Sequence, residues 1–303
     1  MRMHDAVRLK APLRELKDPV LVVGFAVRQR AGRLAHVALT YLADAWQAEP
    51  VAEIDPDDFL DFTVRRPEQR RLGDKVTIEW PKTQIFAARP PGSSRDFLLL
   101  GGFEPNFRWP TFISAIMEYM QAAGVRTIVS LRSFPGSVPH TRPAPVNLTA
   151  SDVELEVQFG IQAERAKYEG PADIAAVLGA AGQSFGCETV ELSVIQPYYV
   201  PRSATSAATL SLIRVLDHAF GITTPTESLQ AAVADEAREI EESFANQEEV
   251  HAMVRELEQT YDEGLEQLDF LSPGLNDAGP LPSGEELIED IERLFREKGT
   301  PGG

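Results

Sequence analysis

The strongest constraint on this chain is an alternation of short, wholly apolar runs with amphipathic helical stretches. After Pro19 the run from Val20 is continuous and apolar and is broken at Gly24, as in a strand buried on both faces. Leu34, Val37, Ala38, Tyr41, Leu42 and Ala45 then recur at helical spacing, to about Trp46. A second apolar run, 96–102, ends in two glycines, and 112–122 carries another helical pattern closed by Gly124. Runs at 125–131 and 190–195 read as a third and fourth strand, with an alanine-rich helix at 172–181 between them. The stretch 204–220 is helical, with Leu210, Ile213, Leu216 and Phe220 on one face.

Apolar strands without polar alternation need cover on both faces, which a parallel sheet flanked by helices supplies. Residues 15–222 are therefore expected to form a three-layer α/β/α sandwich with a mostly parallel sheet, after an N-terminal segment 1–14. In such sheets ligands gather where the carboxyl ends of the strands open into loops.

After Thr223-Thr224-Pro225 the character changes. Val233, Ala237, Ile240 and Phe244 form one apolar stripe, and Val250, Val254, Leu257, Tyr261 and Leu265 form another, with an interruption at Asn246-Gln247. Between Asp235 and Asp269 there are thirteen acidic residues against Arg238 and Arg255, a net −11 out of the −17 of the whole chain. The spacing predicts an acidic helical extension over 223–270. Its narrow seams fit a helical hairpin or a coiled-coil-like contact, and fit a solvated helix packed on its own domain equally well. Ile240, Phe244, Val254, Leu257 and Tyr261 are the candidate interaction residues. Residues 271–303 read as a turn-rich linker, one short helix and a disordered tail.

The charge excludes partners as well. A net −17 disfavours duplex nucleic acid and an anionic membrane surface, both of which are held through Lys and Arg. A lone cysteine, Cys187, rules out an internal disulfide and a multi-cysteine metal site within one chain. No apolar segment is long enough to span a bilayer and the first residues carry no h-region, so a cytoplasmic location is expected.

A search for catalytic spacings finds no phosphate loop, no glycine-rich dinucleotide fingerprint after the first strand, no nucleophile elbow and no HExxH zinc motif. The five histidines lack metal-ligand spacing. No catalytic residue, metal or cofactor is assigned. Two polar clusters remain. Glu104 and Arg108 follow the 96–102 strand, where a doubly wound sheet places ligand contacts. His140 and Arg142 follow the 125–131 strand. An arginine fork there can bind a carboxylate or phosphate, and a histidine can move a proton near neutral pH. The structural alternative is that Arg142 pairs with Glu104 or Glu169 and ties loops together.

Taken in order, the motifs carry a resemblance. Glu53-Ile54-Asp55-Pro56, Asp61-Phe62, Arg66-Pro67, Glu79-Trp80-Pro81, Glu104-Pro105 with Arg108-Trp109, His140-Thr141-Arg142-Pro143, Tyr168-Glu169-Gly170-Pro171 and Pro197-Tyr198-Tyr199-Val200 follow one another along the chain. Together with Val254-Arg255-Glu256-Leu257-Glu258 and Tyr261-Asp262 of the acidic helices, this set covers about residues 20–265 and resembles the proteasome assembly chaperone 2 family in its longer, actinobacterial form. One departure is the loop Gly24–Gly32, where the family usually has a Gly-Trp-Asn-Asp-Ala-Gly type sequence and this chain has Arg28 and Arg30 instead. The resemblance implies a purine nucleoside phosphorylase- and hydrolase-like fold without that chemistry, a non-catalytic assembly role through protein contacts, and a homo-oligomer, a trimer foremost. With the acidic extension it leads to the expectation of protein partners, basic ones among them. The competing expectation is an enzyme or small-anion binder using a cleft lined by Glu104, Arg108, His140 and Arg142.

Overall fold

The computed structural model describes residues 3–13, 15–26, 33–73, 75–163, 169–201 and 203–271, with side chains up to residue 264 in the last helix. The expected linker, short helix and tail beyond residue 271, and all but the first three residues of the Gly24–Gly32 loop, lie outside the described residues.

Eight strands form one sheet in the spatial order β1-β3-β6-β7-β2-β8-β10-β9. They are β1 (Val7–Leu9), β2 (Val20–Ala26), β3 (Glu49–Ile54), β6 (Thr83–Ala88), β7 (Phe97–Phe103), β8 (Thr127–Gly136), β9 (Val146–Ala150) and β10 (Glu188–Pro197). The central strands β7, β2, β8 and β10 are mutually parallel, and the flanking pairs are antiparallel. β3 lies antiparallel to β6, which lies antiparallel to β7, so β3 shares the central direction. β4 (Glu68–Leu72) and β5 (Lys75–Glu79) form a separate two-stranded ribbon inserted between β3 and β6. The sheet also begins earlier than the expected residue 15: β1 pairs with β3, and Val7 is buried in the core.

Side chains alternate across the pleat and split the core into two layers. Val20 and Val22 of β2 pack on one face with α1 (Leu34–Ala45), α3 (Val153–Phe159) and α5 (Ser206–Phe220). Leu21, Val23 and Phe25 pack on the other with α2 (Trp109–Ala123) and α4 (Ile174–Ser184). At Gly24 the backbone of α1 comes close: a Cβ there would sit 2.4 Å from the carbonyl oxygen of Ala35. The predicted three-layer sandwich is the observed one.

Two more helices follow among the described residues, α6 (Glu227–Phe244) and α7 (Glu248–Leu271). The entry into α6 is tied down before the helix starts. Asp217 accepts from the backbone N–H and hydroxyl of Thr224, and that hydroxyl accepts from the Trp46 indole at 3.0 Å. Leu229 of α6 then joins the core beneath α1 and α5.

Candidate functional site

The central strands end at Ala26, Phe103, Gly136 and Pro197, all at one edge of the sheet. β8 and β10 finish in register, Gly136 opposite Pro197, which sets the loop 137–145 beside the loop 198–205. Both stretches offered by the sequence, His140–Pro143 and Pro197–Val200, therefore meet in space.

They meet around Tyr199. Its hydroxyl accepts the His140 backbone N–H at 2.9 Å and lies 2.8 Å from His140 Nδ1. Burial is the main reason this phenol is pushed up to about 12, with Glu241 and Glu258 adding to the effect. His140 Nε2 lies 3.1 Å from Glu241 of α6, and the histidine side chain is almost wholly buried. The Thr141 hydroxyl donates to Glu258 of α7. Arg142 donates through Nε and Nη2 to both carboxylate oxygens of Asp262, at 2.9 and 2.8 Å, and through Nη1 to Glu258 at 3.2 Å. The Tyr261 hydroxyl donates to the Pro143 carbonyl at 3.1 Å. The Tyr198 hydroxyl bonds Met253, and the Tyr199 ring packs 6.1 Å from Phe244. The loops at the carboxyl ends of β8 and β10 thus form a clasp, and what they hold is the acidic helical extension.

The helices answer in kind. Ile240, Val254, Leu257 and Tyr261 are buried, and Phe244 is half-buried against Tyr199, so the five candidate interaction residues face into the chain. Glu236 of α6 accepts from the backbone N–H groups of Thr205 and Ser206 and from the Ser206 hydroxyl. It supplies the acceptor that the first turn of α5 lacks from its own N-cap, Thr205. Between α6 and the clasp lies a cavity of about 40 Å³, lined among others by His140, Gln196, Glu236 and Ile240. Ligand pockets usually enclose about 300–1,000 Å³.

The second polar group sits on the α2–α4 side of the same edge. Glu104 accepts the Ile174 N–H at 3.0 Å from the first turn of α4. Burial pushes its carboxyl up and neighbouring Asp173 adds to this, while the Ile174 bond and Arg65 oppose it. Asp173 caps α4 and pairs at 2.8 Å with Arg132, which also reaches Glu191 at 2.8 Å. Arg108 pairs with Asp58 at 2.7 Å, and both are well exposed. Glu169 is exposed.

Two expectations are corrected here. Arg142 pairs with neither Glu104 nor Glu169; its acids are Glu258 and Asp262, about 120 residues downstream. The four residues expected to line one cleft divide into two groups with separate partners, because β2 lies between β7 and β8 and the strands carry their loops apart. Sequence reasoning also missed Arg132, although a charged residue inside an apolar strand run was a usable sign. It missed the clasping role of Tyr199 and Glu236, for which no local pattern exists. Among the described residues no group of His, Cys, Asp and Glu is arranged to hold a metal ion, and no helix is long and apolar enough to cross a membrane.

A model described as the PAC2 family matches residues 29–247. A proteasome-assembly chaperone homologue of Mycobacterium tuberculosis is 35% identical and superposes with a TM-score of 0.69, over 78% of this chain and 99% of that one. A PAC2 family protein from Streptomyces avermitilis is 32% identical, with a TM-score of 0.65 over 73% of this chain and 94% of that one. An archaeal proteasome activator from Pyrococcus furiosus shares the fold alone, with 13% identity, a TM-score of 0.62, and 78% of this chain and 97% of that one covered. No curated protein matches the sequence.

Proposed function

The chain belongs to the PAC2 family, and on that premise we propose that it is an assembly-chaperone-like protein that works by binding other proteins. The observation that carries this reading is the clasp. The His140–Pro143 and Tyr198–Tyr199 groups that a small-molecule cleft would need are engaged by the chain's own helices α6 and α7. What is left for partners is surface. The exposed side of the extension carries Glu239, Glu242, Glu249, Glu256 and Glu263. Such a face steers a basic partner at long range and loses that reach as salt rises, with a screening length of about 8 Å at physiological ionic strength.

The relative from M. tuberculosis is described as a proteasome-assembly chaperone homologue, and proteasome assembly is the process we assign. The test uses purified proteasome subunits from the same organism, assembled with and without an equimolar amount of the full chain and followed on native gels. A faster appearance or higher yield of assembled particles is the expected result. An unchanged time course, with no complex between the chain and either subunit, would sink the proposal.

A further inference from the structure

The two helices of the extension are held in different ways. α6 is rooted in the core: Leu229 belongs to the layer beneath α1 and α5, Val233 packs against that layer, and Glu236 completes the first turn of α5. α7 has no such root. Its buried side chains Val254, Leu257 and Tyr261 belong to neither core layer of the sheet. Among the described residues its hydrogen bonds to the α/β body go to two loops. Glu258 and Asp262 meet Thr141 and Arg142, Tyr261 meets the Pro143 carbonyl, and Met253 meets Tyr198. Residues 245–247, which join α6 to α7, are exposed. Rotation at that joint lifts α7 away without opening the core.

The seat left behind has a defined chemistry. Both carboxylates that Arg142 meets come from α7, and so does the acceptor of the Thr141 hydroxyl. Lifting α7 strips the guanidinium fork of these partners, and another carboxylate completes it equally well. Arg142, Glu258 and Asp262 are each between a quarter and a half accessible, so water screens the bonds and competes for them. α7 itself shows what fits the seat. Val254, Leu257 and Tyr261 are spaced three and four apart on one helix face, and Glu258 and Asp262 stand four apart beside them. An amphipathic helix read through anchors at such spacings is a recurring mode of protein recognition.

We infer that the seat around Arg142 is a docking site for an acidic amphipathic helix of a partner protein, and that α7 is its internal occupant, a strap that closes the site until such a helix displaces it. The tether makes the strap a strong competitor, since a segment joined by a short linker acts at an effective concentration of about millimolar. A partner helix therefore binds only in proportion to the fraction of chains whose strap is open. The inference rests on the chaperone reading only in requiring a protein partner. Its test contains no proteasome subunit, so either one fails without the other.

The test titrates the full chain into a fluorescently labelled synthetic peptide of residues 248–264 and follows its anisotropy. Glu258→Gln with Asp262→Asn weakens the chain's own strap and leaves the seat intact, so that variant should bind the peptide about tenfold or more tighter than wild type. Adding Arg142→Ala to it should abolish the gain, and a peptide carrying the same Gln and Asn changes should bind neither chain. Amide exchange of the central strands, unchanged in all variants, shows that each is folded. Equal binding to wild type and to the strap variant, or none to either, overturns the inference. So does binding that survives Arg142→Ala. A curve that turns over at high chain concentration means that copies fill one another's seats, which overturns the assignment to a partner.

Discussion

Arg142 and Asp262 face each other through two parallel hydrogen bonds, 2.9 and 2.8 Å long, across 120 residues of sequence. The pair fastens the loop after β8 to the last described helix. Its side chains are one third and nearly one half accessible, so water screens it. Arg142→Ala should therefore lower global stability by only about 1 kcal/mol or less. The local effect is larger in kind: amide exchange in α7 should accelerate while exchange in the central strands stays put. Equal acceleration in both would show that α7 is not separately latched.

The same pair gives an acid response. The hydrogen bond from Arg142, and then its charge, hold the Asp262 carboxyl below the usual range. A depressed carboxylate contributes stability that is present above its unfolded value, about 3.9, and lost as pH falls through the folded one. Protection of α7 should accordingly be flat above about pH 5 and fall below about pH 4. Asp262→Asn should flatten that acid limb.

Two tyrosines set the alkaline limit. Tyr199 and Tyr261 are each pushed up to about 12, mainly by burial. A phenol raised in the folded state keeps its proton while the unfolded chain loses it, so stability declines as pH climbs from about 10 toward 12. Absorbance titration should show Tyr199 and Tyr261 ionising late or together with unfolding. Tyr199→Phe should remove one late step. It should also lower the melting temperature, since the part-buried His140 N–H loses its acceptor at a cost of about 1 kcal/mol.

Apolar anchoring of the extension is a separate term. Leu257 is buried, and Leu257→Ala should cost about 2–3 kcal/mol by urea denaturation, the low end of the range for core leucines because it lies at the periphery. Val157→Ala, at a position 79% exposed on α3, should change stability by less than about 0.5 kcal/mol.

Gly24 tests the packing of α1 on the sheet. The added methyl of Gly24→Ala meets a backbone carbonyl, which cannot rotate away, so the substitution should cost about 1–3 kcal/mol. A variant as stable as wild type would mean that α1 can shift outward freely.

The sequence by itself determined the central layer. β2, β7, β8 and β10, with α1, α2, α4 and α5 between them, were legible because a strand buried on both faces is apolar at every position and a covering helix repeats every three to four residues. The extension was legible too, as two seams on an acidic background. The flanking strands were not. β3 contains Pro50, β9 spans five residues, and β4 and β5 are wholly exposed, so none carries the continuous apolar run of a central strand. The site divided in the same way. Sequence order named His140 and Arg142 as polar groups at a strand end, but their partners Glu241, Glu258 and Asp262 were thirteen-to-two charge statistics until the chain folded. Which carboxylate an arginine meets depends on where two loops and two helices arrive together, and that is set by strand order and register. Tertiary structure alone decided that the His140 and Arg142 part of the expected ligand cluster is the chain's own fastening, while Glu104 and Arg108 find partners elsewhere.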